Sequence, residues 1–542
     1  MTSDTSSAEK GKRPLGKSEP RFADADAAKF LKRGYDALKS GQLKEAGACC
    51  NLVLKYRPSA KEAHFLVGLI AIENKSWAIA KKAFGAVVDI DKKHSAGWAQ
   101  RARIFVMMGQ YSRAEEALEQ AVALNPDDPL VQDVIGTVYS LLGNQQFALA
   151  WYNKACAGSS VAAFELSRAK ALTFLGDFDK AKRSLEAVLA ENSKNAQAHW
   201  MVSRLSKAEN TKHLQQMDII IGSEASDSPA LPFLYYAGGK EQEDLENWPE
   251  AFAAYDAGAK TRRTEVTFDE QAEADMFKAF EANFTPGWLA TADAGCDDPS
   301  PIFIVGQPRT GTTLIERIIT AHSDVQSAGE LQQFGMAVKR LLGSSSSGPL
   351  TPELVARAAR DIDPSLVAQH YLETISSVRP SSPRFVDKLP VNYLYAPLIA
   401  AAFPNAKIIH LVRGALDSCV SSYKQLFADA YYHSYDQVEM ARHHVRYRKL
   451  MAHWRTVLGD RMLDVDYENT VVNFETNARK IIDFLGLEWQ DAVLEFYTQK
   501  TAVTTASAAQ VREKAHSRSV GRWRKYDEYI GPMKAVIADA GF

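Results

Sequence analysis

The first half of the chain repeats with a period of 34 residues. Segments that begin at Ala27, Lys61, Ser95 and Pro129 share a small residue at their eighth position and alanine at their twentieth. The small residues are Gly34, Gly68, Ala102 and Gly136, and the alanines are Ala46, Ala80, Ala114 and Ala148. Small side chains at these spacings let two antiparallel helices approach closely, so the period predicts stacked helical hairpins.

The pattern resembles the tetratricopeptide repeat. Further units begin near Ala162, near Ala198 in a degenerate form, and near Pro232, so we expect an all-α solenoid over residues 27–265. Such arrays commonly bind a peptide or a partner protein, although many only pack against a neighbouring domain. We expect this array to hold an acceptor or partner and not a nucleotide.

Composition excludes several classes of function. Lys and Arg number 64 against 66 Asp and Glu, so no global positive field is available for nucleic acid. The five cysteines are scattered without a C-x-x-C pair, and no His/Asp/Glu cluster has ligand spacing, so we expect neither disulfides nor a metal. The chain has no apolar run long enough to span a membrane, and its polar first residues do not resemble a signal, so we expect a cytoplasmic protein.

The remaining domain boundaries follow from composition. Residues 1–26 are polar and predict a disordered tail, while residues 266–299 lose the repeat period and collect Pro and Gly, as in a linker. Residues 300–542 then form a second domain.

The second domain opens with a strand, a glycine-rich loop and a helix. Gly306 and Gly311 have the spacing of a nucleotide-binding P-loop, but Thr312 stands where that motif has lysine. Arg309 inside the loop can supply the missing positive charge. A phosphate or sulfate group at the helix N-terminus is therefore expected, whereas a nucleotide kinase or NTPase with a variant P-loop is the less favoured alternative.

Two further motifs follow strands. Asp387 and Lys388 end one predicted strand, and Arg413 follows another, with Ser421 eight residues later on a helix. The strand, helix, strand order predicts parallel pairing, which brings the carboxyl ends of the strands to one edge of the sheet. Arg413 and Ser421 can then bind a second phosphate.

These motifs together resemble the sulfotransferase superfamily that uses 3′-phosphoadenosine 5′-phosphosulfate (PAPS). The segments are IFIVGQPRTGTT, AGEL, VDKLPVN, FPNAKIIHLVRGALDSCVSSY and SVGRWRKY, in that order. More narrowly they are similar to bacterial proteins with tetratricopeptide repeats ahead of a sulfotransferase domain, and to tyrosylprotein sulfotransferases. The resemblance implies an α/β domain with a P-loop-like phosphosulfate site and a parallel sheet, with PAPS as sulfuryl donor and no metal.

The resemblance also implies roles for individual residues. The 5′-phosphosulfate loop would comprise Gln307, Pro308, Arg309, Thr310, Gly311, Thr312 and Thr313. Arg413 and Ser421 would hold the 3′-phosphate, and Lys388 would lie near the transferred sulfuryl group. Positions around the adenine and the 3′-phosphate are matched more loosely by Tyr467, Ser507, Gly521 and Arg522.

Glu330 stands where the tyrosylprotein enzymes have a glutamate proposed as general base. Cytosolic sulfotransferases instead have a histidine two residues after the equivalent of Lys388, and Pro390 occupies that position here. We expect His322 to be a helix cap or surface residue, and Asp417 and Glu468 to be structural. The acceptor hydroxyl is left open among protein tyrosine, glycan, lipid head group and small metabolite, and a repeat scaffold with an inactive C-terminal domain is a further alternative.

Overall fold

A computed structural model of the chain describes residues 22–159, 161–293, 295–344, 348–505 and 507–542. Most of the tail expected at residues 1–26 lies outside the described residues, and the first helix begins at Asp24. The chain divides into two compact units, Met1–Ile104 and Phe105–Phe542.

The first unit consists of antiparallel helices. They are α1 (Asp24–Lys39), α2 (Leu43–Tyr56), α3 (Lys61–Glu73), α4 (Trp77–Ile90) and the greater part of α5 (Ser95–Met107). The glycine at the eighth repeat position is needed for close packing, because a Cβ atom on Gly68 would lie 2.5 Å from the Phe84 ring.

The second unit begins with the later repeats. Their helices are α6 (Tyr111–Ala123), α7 (Pro129–Leu141), α8 (Gln145–Gly158), α9 (Ala162–Leu175), α10 (Phe178–Glu191), α11 (Ala196–Leu205), α12 (Lys212–Ile221), α13 (Leu231–Asp244) and α14 (Trp248–Glu265). Gly136 packs on Tyr152 and Gly239 on Tyr255 as Gly68 does on Phe84. The degenerate sixth repeat corresponds to α11 and α12, each only 10 residues long. We call helices α1 to α14 the repeat array.

Helices occupy most of residues 266–299, which the sequence predicts to be a linker. They are α15 (Glu270–Asn283) and α16 (Pro286–Thr291). Phe277, Phe280 and Phe284 are buried in the core of the following domain, where Phe280 meets Trp454 edge to face at 6.4 Å. The repeat period is lost after Thr264 because the next helices pack against the core of the α/β domain and no longer against a repeat. The segment is therefore helical and not an irregular connection.

A five-stranded parallel sheet, in the order β2-β3-β1-β4-β5, organises the rest of this unit. Its strands are β1 (Pro301–Gly306), β2 (Val325–Gly329), β3 (Arg384–Lys388), β4 (Lys407–Val412) and β5 (Met462–Asp466). Helical repeats followed by a parallel α/β domain confirm the fold class predicted from the sequence.

Helices cover both faces of the sheet. They are α17 (Thr312–Ile319), α18 (Gln333–Leu341), α19 (Pro352–Asp361), α20 (Pro364–Ile375), α21 (Ala396–Ala402), α22 (Ala415–Tyr423), α23 (Gln437–Leu458), α24 (Tyr467–Val472), α25 (Phe474–Phe484) and α26 (Gly531–Asp539). Short 3₁₀ helices lie at Pro390–Tyr395, Tyr432–Tyr435, Gly459–Arg461, Asp491–Thr498, Gln510–Arg512 and Arg522–Tyr526. Along β1, Ile302 and Ile304 belong to one apolar core, whereas Phe303 and Val305 belong to the other. Successive residues of β1 are thus buried on opposite faces of the sheet, as is typical of parallel sheets with helices on both sides.

The strand order fixes where a ligand can bind. β1 lies at the centre with β3 on one side and β4 on the other, and the chain passes from β1 toward both edges. In open parallel sheets the crevice at the carboxyl ends of such central strands takes the ligand. The residues that follow Gly306, Lys388 and Val412 therefore meet at one edge. Among the described helices, none combines the length and the apolarity that crossing a membrane requires.

Candidate functional site

Residues 307–313 connect β1 to the first turn of α17. At one position of this loop the backbone has a conformation that favours glycine. Gly311 has φ +107°, and a Cβ atom there would lie 2.6 Å from Cδ2 of Tyr467. The Thr310 hydroxyl donates to the Gln307 carbonyl at 2.7 Å and closes the turn. Thr312 and Thr313 begin α17, whose N-terminal N–H groups can bind an anion.

Arg309 is the cation of this loop. It has a left-handed φ of +65°, and its Nη1 donates to the Ser507 hydroxyl at 2.6 Å. Burial, followed by the positive charges of Arg204 and Arg413, lowers the pKa of Arg309 to about 10. A guanidinium held among other cations favours the approach of an anion.

Arg413 connects the loop to the next strand. Its Nη1 donates to the Arg309 carbonyl at 2.8 Å and its Nη2 to the Ser519 carbonyl at 2.6 Å, while the guanidinium carbon lies 4.8 Å from the centre of the Tyr467 ring. On α22, Ser421 is half-buried, and the neighbouring Ser422 donates to the Pro308 carbonyl at 3.4 Å. Arg413 and Ser422 of α22 therefore contact the loop, whereas binding of a second phosphate by Arg413 and Ser421 stays a prediction.

The four positions that were matched more loosely to the adenine and 3′-phosphate site divide into two groups. Tyr467 and Ser507 contact the loop directly, at Gly311 and Arg309. The amide of Gly521 instead donates to Asp417 Oδ2 at 2.6 Å, which gives Asp417 a structural role. Arg522 Nη2 donates to Glu243 of the repeat array at 2.5 Å.

Lys388 and Glu330 form an ion pair at the carboxyl edge of the sheet. Lys388 ends β3 with its side chain 1% exposed, whereas Glu330 follows β2 with its side chain 42% exposed. Burial acts to lower the pKa of Lys388, but the charges of Glu330 and Glu316 outweigh it and raise the pKa. The lysine is therefore charged, and the carboxylate is the partner that faces solvent.

Two buried carboxyl groups near Lys388 were not identified from the sequence. Glu316 on α17 accepts from the Ser327 hydroxyl at 2.5 Å, and its Oε2 lies 4.0 Å from Lys388 Nζ. Asp387 accepts from the Tyr371 hydroxyl at 3.0 Å, and burial raises its pKa to about 8. The sequence signal that could have indicated them is a carboxylate among the apolar residues of α17 and of β3.

His322 is buried, which corrects the expectation of a cap or surface residue. It is 2% exposed, its Nδ1 accepts from the Asp324 amide at 3.1 Å, and its Nε2 donates to the Glu488 carbonyl at 2.8 Å. Both ring nitrogens of His322 therefore form hydrogen bonds with backbone groups, one of them in the segment around Glu488. Glu468 accepts from the Gly414 amide at 3.0 Å, a structural contact.

The side chain of Gln307 is hydrogen-bonded to His444 of α23, a residue that the sequence motifs do not include. His444 Nδ1 donates to Gln307 Oε1 at 2.7 Å, and burial lowers the pKa of His444 to about 3. Within the described residues, the Gln307 amide nitrogen is buried without a hydrogen-bond partner. This donor is available to a ligand at the start of the loop.

Glu273, His433 and His443 come from three separate elements, and their potential ligand atoms lie within 4.8 Å of one another. Sequence spacing could not reveal this group. The two imidazole rings stack at 3.6 Å with 12° between their planes, and Nδ1 of each faces Glu273 Oε1, at 3.6 Å from His433 and 2.8 Å from His443. Glu273 accepts from His443 at 2.8 Å and from Arg446 at 2.7 Å, contacts that tie α15 to α23.

Comparison with known proteins agrees with this architecture. Residues 301–491 match the family model described as "Sulfotransferase family", and residues 71–136 and 166–205 match models described as "Tetratricopeptide repeat".

Three relatives illustrate the similarity. The chain is 30% identical over 375 residues to an uncharacterized protein of Aquifex aeolicus (strain VF5), covering 68% of this chain and 49% of that protein. It is 29% identical over 236 residues to a protein-tyrosine sulfotransferase of Drosophila melanogaster, covering 41% of this chain and 46% of the relative. A putative protein-tyrosine sulfotransferase of Caenorhabditis briggsae is 26% identical over 256 residues, which cover 44% of this chain and 88% of that protein.

The chain spans about half the length of the first two relatives. The family assignment therefore concerns the matched domains. The chain contains tetratricopeptide repeats, and its C-terminal domain belongs to the sulfotransferase family.

Proposed function

We propose that the chain is a PAPS-dependent sulfotransferase that transfers a sulfuryl group to an acceptor hydroxyl. The observation that carries the proposal is the Lys388–Glu330 ion pair beside an anion loop that has Arg309 and no lysine at position 312. A cation and a carboxylate at one sheet edge suit a reaction in which negative charge leaves and a proton is removed.

The residues divide this chemistry between them. Arg309, Lys388 and the loop N–H groups would neutralise the charge on the bridging oxygen as the S–O bond to the nucleotide breaks, by analogy with phosphoryl transfer. Glu330 would accept the proton of the acceptor hydroxyl as the new S–O bond forms. The products would be the sulfate ester and adenosine 3′,5′-bisphosphate (3′,5′-ADP).

Glu330 must leave Lys388 before it can act as a base. In the structure, Lys388 Nζ donates a hydrogen bond to the Glu330 carboxylate. Donor binding would draw Lys388 toward the sulfuryl group and free Glu330 for the acceptor. The 42% exposure of the Glu330 side chain gives an acceptor access to it.

Protein tyrosine is the acceptor that we favour, because several similar proteins are called protein-tyrosine sulfotransferases. Glycans, lipid head groups and small hydroxyl compounds are the alternatives. A protein acceptor would also give the repeat array a function, since tetratricopeptide repeats commonly bind peptides.

Calorimetry on the full chain tests the proposal. We expect 3′,5′-ADP and PAPS to bind far more tightly than ATP, because the loop lacks the P-loop lysine and Arg413 would bind a second phosphate. Preferential binding of ATP would instead support the kinase or NTPase alternative. Failure to bind any of these nucleotides would support a scaffold with an inactive domain.

A further inference from the structure

A carboxylate of the repeat array lies at the centre of a group of cations from the α/β domain. Glu243 on α13 is 8% exposed. Its Oε2 accepts from Lys424 Nζ at 2.5 Å and from the Tyr526 hydroxyl at 2.9 Å, and its Oε1 accepts from Arg522 Nη2 at 2.5 Å. The array thus fixes two cations that the α/β domain contributes.

Glu243 is ionised in this environment. Burial would raise its pKa, but the positive charges of Lys424 and Arg522 outweigh burial and lower the pKa to about 2. Lys424 follows α22, the helix that carries Ser421. The contact therefore lies beside the predicted 3′-phosphate position.

Arg204 brings a further positive charge from the array. It lies in the last turn of α11, with its guanidinium carbon 4.7 Å from the centre of the Trp200 ring. Trp200 in turn packs against an apolar cluster that includes Val420 of α22 and Tyr526. After burial, the positive charge of Arg204 is the next cause that lowers the pKa of the loop residue Arg309.

Five cations thus share one electrostatic environment. They are Arg204, Arg309, Arg413, Lys424 and Arg522. Burial lowers the pKa of Lys424, and the charges of Arg522 and Arg309 act in the same direction against the attraction of Glu243. Like charges in a partly buried site repel one another, and a ligand with several negative charges relieves that repulsion.

We propose that the end of the repeat array forms part of the donor-nucleotide site, with Arg204 binding a phosphate group and Glu243 positioning Lys424 and Arg522. This inference rests on the proposed function. It replaces the expectation that the array does not take part in nucleotide binding, and it makes the last repeats a component of the active centre.

The first test is calorimetric titration of the full chain with 3′,5′-ADP. Arg204→Gln should weaken binding by about tenfold to a hundredfold, since truncating one partner of a desolvated charge pair is costly, and Arg204→Lys should lose less. Arg183→Gln, at an exposed arginine of α10, is the matched control and should bind like the wild type. Equal affinity of Arg204→Gln and the wild type would overturn the inference.

The second test separates positioning from folding at Glu243. Glu243→Gln should weaken 3′,5′-ADP, and Glu243→Asp should restore much of the affinity because it keeps the charge. Thermal unfolding of each variant reports any loss of stability separately. If Glu243→Gln is folded and binds 3′,5′-ADP like the wild type, the positioning role is wrong.

The wild type distinguishes this inference from the proposed function. If the wild type binds neither 3′,5′-ADP nor PAPS, the sulfotransferase proposal fails and the inference with it. If the wild type binds these nucleotides and the Arg204 and Glu243 variants bind them equally well, the inference fails while the proposed function stands.

Discussion

The Nζ atom of Lys388 lies 4.0 Å from Oε2 of the buried Glu316, in addition to its shorter ion pair with Glu330. Glu316 comes from the helix that follows the anion loop, and Glu330 comes from the end of the neighbouring strand. When Glu330 turns to an acceptor, Glu316 can keep Lys388 charged and in place. Lys388 can thus lose its contact with Glu330 while Glu316 stays beside it as a counterion.

Glu330→Gln tests the proposed general base. Because the amide keeps the shape and removes the basicity, kcat should fall by about 10²–10⁴-fold while 3′,5′-ADP affinity stays within a few-fold of wild type. The loss should be smaller with nitrophenols, whose hydroxyl groups are already acidic. Glu353→Gln, at an exposed glutamate of α19, serves as control. Full turnover of Glu330→Gln on a tyrosine or alkyl hydroxyl would show that the base is elsewhere.

Glu316→Gln tests the retained counterion. With only Glu330 left to balance Lys388, the pair should open less readily, and kcat should fall by about tenfold, equivalent to roughly 1.4 kcal/mol of barrier. The pH profile of kcat should also shift, since Lys388 loses one of the charges that raise its pKa. Steady-state rates across a pH series measure both effects. Unchanged kcat and pH profile would leave Glu316 a packing residue only.

Arg413→Ala tests the second phosphate site. Binding of 3′,5′-ADP should weaken by about 2–5 kcal/mol, while AMP, which lacks the 3′-phosphate, should be nearly unaffected. Arg413→Lys keeps the charge but loses the forked contacts to the Arg309 and Ser519 carbonyls. It separates loss of charge from disturbance of the loop. Equal losses for both nucleotides would contradict the assignment.

Asp387 predicts a particular pH dependence of stability. Burial raises the pKa of its carboxyl from 3.8 to about 8, so the folded chain keeps a proton that the unfolded chain has released between these two values. The contribution to stability is complete below the lower value, falls as the pH rises, and is lost above the upper value. Asp387→Asn should therefore remove up to one proton from the pH dependence of the unfolding free energy. Denaturant unfolding at several pH values measures this, and parallel curves for the two proteins would contradict it.

The sequence specified the repeats and the anion loop because both depend on local rules. Gly68 and Gly136 recur at a fixed period since each must accept an aromatic ring from the second helix of its own hairpin. Gly311 is required by its own φ angle and by the ring of Tyr467. Such requirements appear directly as residue types at fixed spacings.

Long-range contacts could not be predicted in the same way. Nothing in the sequence distinguishes Glu243 from the other charges of the repeat helices, and its partners Lys424 and Arg522 are more than 180 residues away. Glu316 is far from Lys388 in the sequence, and only the tertiary structure brings the two side chains together. The sequence places Asp387 directly before Lys388 but does not show that Asp387 is buried. Residues 270–283 likewise contain apolar side chains at helical spacing, whose packing partner became clear only from the fold.

The most direct test of the central claim is transfer of labelled sulfur from PAPS by the full chain. The protein would be incubated with PAPS labelled in the sulfuryl group and with tyrosine peptides, glycans and small phenols as separate acceptors. We predict a labelled sulfate ester on at least one hydroxyl acceptor, with one 3′,5′-ADP released for each ester formed and no transfer by Lys388→Met. Labelled ester formation that persists undiminished in Lys388→Met, or hydrolysis of ATP with PAPS left unused, would contradict the account.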